Sequence, residues 1–193
     1  MGGGGRCRPT RAAVLALAVV IGGPEPAASA EPRRYVVDPG QSQLRFHAVS
    51  RFVNAAGRFG RFEGEIQLDA AAPDRAAGRI VVQVASLDTG IGRRDEHLRS
   101  DDFFATARHP HATFVVEAVR AEDGRWLVSG PLTIRGVTRP LSVPVTVTAG
   151  DGRVRVIGEF VVRRREFGVA YDSFFNPIRD EVRVWFDLAA VPG

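Results

Sequence analysis

Cysteine is nearly missing from this chain of 193 residues: Cys7 is the only one. Cys7 falls inside a stretch that reads as a leader, so the mature protein is expected to fold without a disulfide. Lysine is absent altogether, and all 26 basic residues are arginine, a compositional bias rather than a binding signal. The arginines are interspersed with 22 acidic residues, so the basic charge does not mark a nucleic-acid partner. Long hydrophobic runs are lacking too. The stretch Ala12 to Ile21 is roughly half the ~20 residues that span a bilayer, which makes a stable membrane anchor the weaker reading. Catalytic signatures are also missing. None of Ser86, Ser100, Ser129 or Ser173 lies in a G-x-S-x-G elbow. Gly90-Ile91-Gly92 has no βαβ frame for a dinucleotide. No P-loop or zinc spacing is present, and no cofactor is expected.

Export is what the amino terminus suggests. Arg6, Arg8 and Arg11 precede the short apolar core, and Ala28-Ser29-Ala30 supplies a small-residue cleavage site, the plan of a secretory signal peptide over residues 1–30. Cys7 comes before the apolar core and cannot be a lipid-attachment cysteine at the cleavage point. The product would be periplasmic or secreted. The leader takes Arg6, Arg8, Arg11 and Glu25 with it, so the net charge of the remainder stays small. Residues 31–193 then form one domain of ordinary size, large enough to be held by its own core.

That domain reads as β almost throughout. Apolar and polar residues alternate in Phe62–Asp69, Leu141–Thr148, Val154–Val162 and Val182–Leu188. Looser alternation runs through Ser42–Ser50, Gly78–Asp88, Ala112–Ala121 and Trp126–Ile134. Period-2 patterning of this length means strands with one buried and one wet face. Connections too short for crossover helices make these roughly eight strands mostly antiparallel. Gly124, Gly136 and Asp151-Gly152 are the expected hairpin turns. The single helical candidate is Arg93 to about Phe104, midway along the series, where it can plug or lid a barrel.

Side-chain size separates a barrel from a sandwich. The inward sets include Val82 and Val84; Phe114, Val116 and Ala118; Val128, Gly130 and Leu132. They continue with Val143, Val145 and Val147, then Val154, Val156, Gly158 and Phe160. A closed sheet of eight strands can hold one small ligand when its interior side chains do not fill it. A sandwich would interleave bulkier residues and need edge protection. Small linings therefore favour a barrel with a cavity, although Val-rich layers also fill some barrels solidly.

The phrases between these strands carry a resemblance. YVVDPGQSQLRF (Tyr35–Phe46), GRFGRFEGEIQLD (Gly57–Asp69) and SLDTG (Ser86–Gly90) come first. RDEHLRSDDFF (Arg94–Phe104), HPHATF (His109–Phe114), GPLTIRGVTRP (Gly130–Pro140) and REFGV (Arg165–Val169) follow in order. In this ordered combination the chain resembles the YceI-like family of exported lipid-binding proteins over nearly all of its mature region. The resemblance implies an elongated, lipocalin-like antiparallel barrel that takes long amphiphiles such as polyisoprenoids and requires no cofactor. The clearest departure is Ser50–Ala56, SRFVNAA, where many relatives carry a histidine.

The expected function is sequestration of a long-chain amphiphile: a polyisoprenoid, quinone or fatty-acid derivative. Phe46, Phe62, Phe114, Phe160 and Phe186 are expected to meet the ligand, together with Leu132, Val145 and Val156. Phe103 and Phe104 would anchor the short helix, and Phe104 is also expected to touch the ligand. His97 and Arg164 are the candidates for a polar head group, because paired N–H donors of Arg suit phosphate or carboxylate. Arg164 matches the family's arginine ahead of the FG pair, and a structural pairing with Asp172 or Glu166 competes with the head-group role. His97, His109 and His111 near Asp95 and Glu96 lack the tight ligand pairs of a zinc site, and His47 reads as a surface residue. No catalytic residue is assigned. A triad is recognised by geometry, so a secreted hydrolase or isomerase acting on such amphiphiles remains an alternative. A periplasmic stress or interaction protein with a solid barrel is another. A homodimer is left open.

Overall fold

Alternation becomes a closed sheet in the computed structural model, which describes residues 32–193 apart from Ala70 and Ser173. The leader expected over residues 1–30 lies outside the described residues. The chain runs through β1 (Arg33–Val37), β2 (Gln43–Ser50), β3 (Ala55–Phe59), β4 (Phe62–Leu68), β5 (Ala77–Gln83) and β6 (Leu87–Asp88). One helix, α1 (Gly92–Arg99), follows. Then come β7 (His111–Val116), β8 (Ala118–Glu122), β9 (Arg125–Ile134), β10 (Val137–Gly150), β11 (Arg153–Arg163) and β12 (Ile178–Pro192).

Several of these segments are halves of one stave. β1 and β2 both run antiparallel to β12, with Val37 opposite Ala190 and Phe46 opposite Val184. β3 pairs with β2 while β4 pairs with β1. β6 extends the line of β5 beyond a 3-10 turn at Val84–Ser86. β7 and β8 both pair with β9 on either side of a bulge at Glu117, whose N–H donates to Ser129 O. Counted as staves, the sheet is the expected eight-stranded antiparallel barrel, closed by the pairing of β1 with β12.

Tight turns fix its register. Asp123-Gly124, Arg135-Gly136 and Asp151-Gly152 all have positive φ at both positions, the two-residue geometry that matches the right-handed twist of the flanking strands. Arg135 adopts this backbone despite its side chain, and its guanidinium ties the turn to Gly168 O and Asp101 O.

The structure departs from the sequence reading in four places. β1 and β3 carry too little alternation to be seen alone; they exist because they complete staves that β2 and β4 begin. β12 runs on both sides of the expected Val182–Leu188, since both β1 and β2 pair with it. β10 starts at Val137, ahead of Pro140. Its ladder with β11 begins at Val145, so Pro140 and Pro144 lie where that edge makes no ladder bond to lose. The helix ends at Arg99 rather than near Phe104, because Ser100 turns extended and its Oγ donates to His97 O. Residues 100–104 continue as turns.

Candidate ligand-binding cavity

Between the staves lies a cavity of about 530 Å³, walled almost entirely by apolar side chains. The barrel is therefore not solid. Val82 and Val84, Val143, Val145 and Val147, and Val154 and Val156 form much of the wall, as expected where inward positions alternate with outward ones. Ala118 does not reach it. Rings occupy part of the interior because glycine opposes them. A Cβ on Gly158 would stand 2.5 Å from the ring of Phe186, and one on Gly57 would stand 2.6 Å from that of Phe46.

Of the side chains expected to meet a ligand, Phe46, Phe104, Phe114, Leu132, Val145, Val156, Phe160 and Phe186 all border the cavity, as do His97 and Arg164. Phe62 is the correction. It is buried in a packed cluster with Tyr35, Val37, Val154, Leu188 and Ala190, and it is not on the wall. Alternation gives a residue's face but not its depth in the barrel. Trp126 lines the end near the 3-10 turn at Pro73–Arg75. It was missed although it shares phase with Val128 and Leu132, so the signal was there.

The other end is built by α1. Asp95 is buried, and its Oδ1 accepts the backbone N–H of Thr89 at 3.0 Å and the Thr89 hydroxyl. Arg94 donates from Nε to Thr89 Oγ1 at 2.8 Å. Arg99 reaches Ala85 O and Leu87 O. These bonds fix α1 against the stave that ends at β6. On its inner side His97 packs edge-on against Phe103 and Tyr171, with ring centroids 5.0 and 4.8 Å away. Its Nε2 lies 3.2 Å from Asp102 Oδ2. Phe103 is buried, consistent with its anchoring role, and Phe104 faces the cavity. Tyr171 sits in an irregular segment, where no periodicity could have singled it out.

Arg164 is a cation almost withdrawn from solvent, only 5% exposed. Its Nε donates to Arg179 O at 3.2 Å and its Nη1 to Val169 O and Tyr171 O at 2.8 and 2.7 Å. Nη2 donates to Ile178 O at 3.0 Å and stands 3.5 Å from Asp172 Oδ1. The guanidinium thus makes four hydrogen bonds to backbone carbonyls, and the expected partner Asp172 is its ion pair. Burial lowers its pKa from the ordinary value, and Asp172 opposes that effect. The role this geometry supports is structural: one side chain gathers the carbonyls of the 169–179 segment.

The histidines do not converge. Among the described residues no group of three His, Cys, Asp or Glu side chains could hold a metal ion. His47 is exposed, His111 opens β7, and the His109 ring lies against Gly136.

A closed antiparallel barrel around an apolar cavity, lidded by one short helix, defines a class of small lipocalin-like barrels. The chain belongs to the YceI-like domain family, whose model matches residues 35–190. A UPF0312 protein of Shewanella sp. strain MR-4 is 32% identical over 170 residues, covering 81% of this chain and 87% of its own length. One from Photorhabdus laumondii is 36% identical over 97 residues, half of each chain. Among solved structures, BcnA of Burkholderia cenocepacia superimposes with a TM-score of 0.75 at 28% identity, covering 80% of this chain and 99% of BcnA. A polyisoprenoid binding domain from Saccharophagus degradans shares the fold with a TM-score of 0.67 at 21% identity, covering 82% of this chain and 98% of that domain.

Proposed function

We propose that this protein carries one long, mainly apolar chain inside its barrel: a polyisoprenoid, quinone or fatty-acid derivative. The observation that carries this reading is the cavity itself, about 530 Å³ of space with an almost wholly apolar wall. Such a wall offers an alkyl or prenyl chain dispersion contacts and no polar group to desolvate. Each methylene withdrawn from water contributes about 0.8 kcal/mol, so a tail of about ten carbons contributes several kcal/mol before ordering costs. The barrel shape shared with a domain described as polyisoprenoid binding supports the same class of ligand. His97, Tyr171 and Asp102 offer polar atoms at the lidded end, where a head group would rest. The protein acts after export, a reading supported by the leader-like residues 1–30, and mature protein should begin at Glu31.

Mass spectrometry of the organic extract of purified protein tests the proposal. A stoichiometric long-chain amphiphile is expected. Protein that stays empty after incubation with decaprenyl, quinone and fatty-acyl probes would sink it, and turnover of a bound probe would replace the carrier with an enzyme.

A further inference from the structure

The most exposed apolar side chains among the described residues gather at one place. Phe174 is 93% exposed, Phe175 81%, Phe52 70% and Val53 60%, with Ile91 half exposed. They come from three separate segments: the β2–β3 loop, the start of α1, and the stretch leading into β12. Hydrogen bonds join these segments into one rim. Phe52 N–H donates to Asn176 Oδ1 at 2.9 Å, Arg51 N–H to Pro177 O at 3.2 Å, and Arg94 Nη1 to Asn54 O at 3.4 Å. Asn54 Oδ1 in turn accepts Ser50 N–H, and Ser50 Oγ donates to Val53 O. Bonds at both its base and its tip therefore brace the β2–β3 loop, although its apolar side chains point into water. The same rim borders the cavity, whose wall includes Val53, Arg94, Asn176 and Ile178.

Its charge is mainly basic, although Asp95, Glu96, Asp180 and Glu181 flank it. Residues 51–54, 91–94 and 174–179 contain Arg51, Arg93, Arg94 and Arg179 and no Asp or Glu. Asp172, the nearest acid before Phe174, is already taken by Arg164 and Arg165. Exposed rings beside exposed arginines such as Arg51 and Arg93 form the pattern that binds an anionic lipid interface: rings enter the headgroup boundary and guanidinium groups meet phosphates.

We propose that this rim docks the α1 end of the barrel onto an anionic membrane surface, so that an apolar chain passes beside the helix between bilayer and cavity without crossing water. Docking is peripheral and reversible, since a few rings and arginines fall far short of a membrane span. The purpose given to docking rests on the carrier reading, but docking itself is measurable without any ligand.

Co-sedimentation of the mature protein with phosphatidylcholine vesicles, with and without phosphatidylglycerol, provides the test. Binding to the phosphatidylglycerol vesicles is expected, weakening as salt rises. Phe52→Ser, Phe174→Ser and Phe175→Ser combined should weaken it by about tenfold or more, with melting temperature unchanged because these side chains are exposed. Arg51→Glu with Arg93→Glu should remove the preference for anionic vesicles. Equal binding by the triple serine variant, or no vesicle binding by the wild type, overturns the inference. So does a triple variant that turns a vesicle-free dimer into a monomer, which would make the rim an interface between two copies. A protein that docks yet never carries an amphiphile refutes the carrier reading alone. One that carries without docking refutes docking alone.

Discussion

Replacing Arg164 with methionine separates a structural cation from a ligand-recognising one. The change keeps an unbranched side chain of similar reach but removes five N–H donors. Four carbonyls, those of Val169, Tyr171, Ile178 and Arg179, lose a charged partner, and Asp172 loses one of its two arginines. A buried carbonyl left without a donor costs about 1–3 kcal/mol. Arg179 and Asp172 are exposed and can turn to water, so the total should be about 3–5 kcal/mol, in the range found when one partner of a buried ionic network is removed. For a domain of this size each kcal/mol moves the melting temperature by about 2–4 °C, and a fall of about 10 °C is expected. Arg164→Lys should recover little, because an ammonium cannot address four carbonyls arranged around a planar fork. Thermal and urea denaturation measure the stability. Binding of a charged amphiphile and of its neutral analogue, taken well below the melting temperature, measures recognition. Equal affinity ratios with a large loss of stability fit the geometry. An unchanged melting temperature with selective loss of the charged ligand would refute the structural reasoning and make Arg164 the head-group site.

Three further outcomes follow from the wall and the outer face. Val145→Trp with Val156→Trp should abolish amphiphile uptake while the far-ultraviolet spectrum stays native, because the new rings enter existing space; severe unfolding would mean the space is not there, since overpacking a filled core costs about 1–3 kcal/mol per site. Gly158→Val should destabilise by about 2 kcal/mol through collision with Phe186, and Phe186→Leu should relieve part of that loss in a denaturation series. Asp187 accepts Arg155 through both oxygens at 2.7 and 2.6 Å, and this lowers its pKa from 3.8. A depressed carboxylate adds stability above its unfolded-state pKa, and that stability disappears as pH falls through the folded value. Unfolding midpoints of Asp187→Asn should therefore lie below wild type at pH 6 and converge with it below about pH 4.

Much of the barrel was legible because a strand with one wet face writes its period into the chain. Phe62–Asp69, Val154–Val162 and Val182–Leu188 alternate because each lies between lumen and water, and the cavity-facing valines could be read from the same phase. The kinks were not legible. Arg33–Val37 and Ala55–Phe59 gain their strand character from partners distant in sequence. Depth along the barrel axis was equally hidden, which is why Phe62 was expected beside the ligand and lies in the packed cluster instead. At the lidded end the chain is irregular. The carbonyls around Arg164 and the stack of His97, Phe103 and Tyr171 are assembled only by folding, and no local pattern announces them.

The cavity persists because the forces that close a core act against a ring that cannot shrink. Apolar side chains around empty space gain dispersion energy by meeting, but each stave here is hydrogen-bonded to two neighbours, and β1 with β12 completes the circle. Narrowing the barrel would mean breaking ladder bonds along its length, each leaving buried backbone groups unpaired. Only side chains can fill the space, and valine at so many inward positions is too short to reach across. The rings of Phe46 and Phe186 lie close against the wall beside Gly57 and Gly158. Water gains little there, since a wall with so few polar atoms cannot give it two to four partners. A chain that enters such a space recovers the missing contacts without displacing well-bound water. Chain length should then govern affinity more steeply than head-group chemistry. In a series of fatty acids and prenols titrated against the protein, affinity should rise with each added carbon until the lumen is full and then level off. A series ranked by head group instead of by length would show that the polar end, not the cavity, selects the ligand.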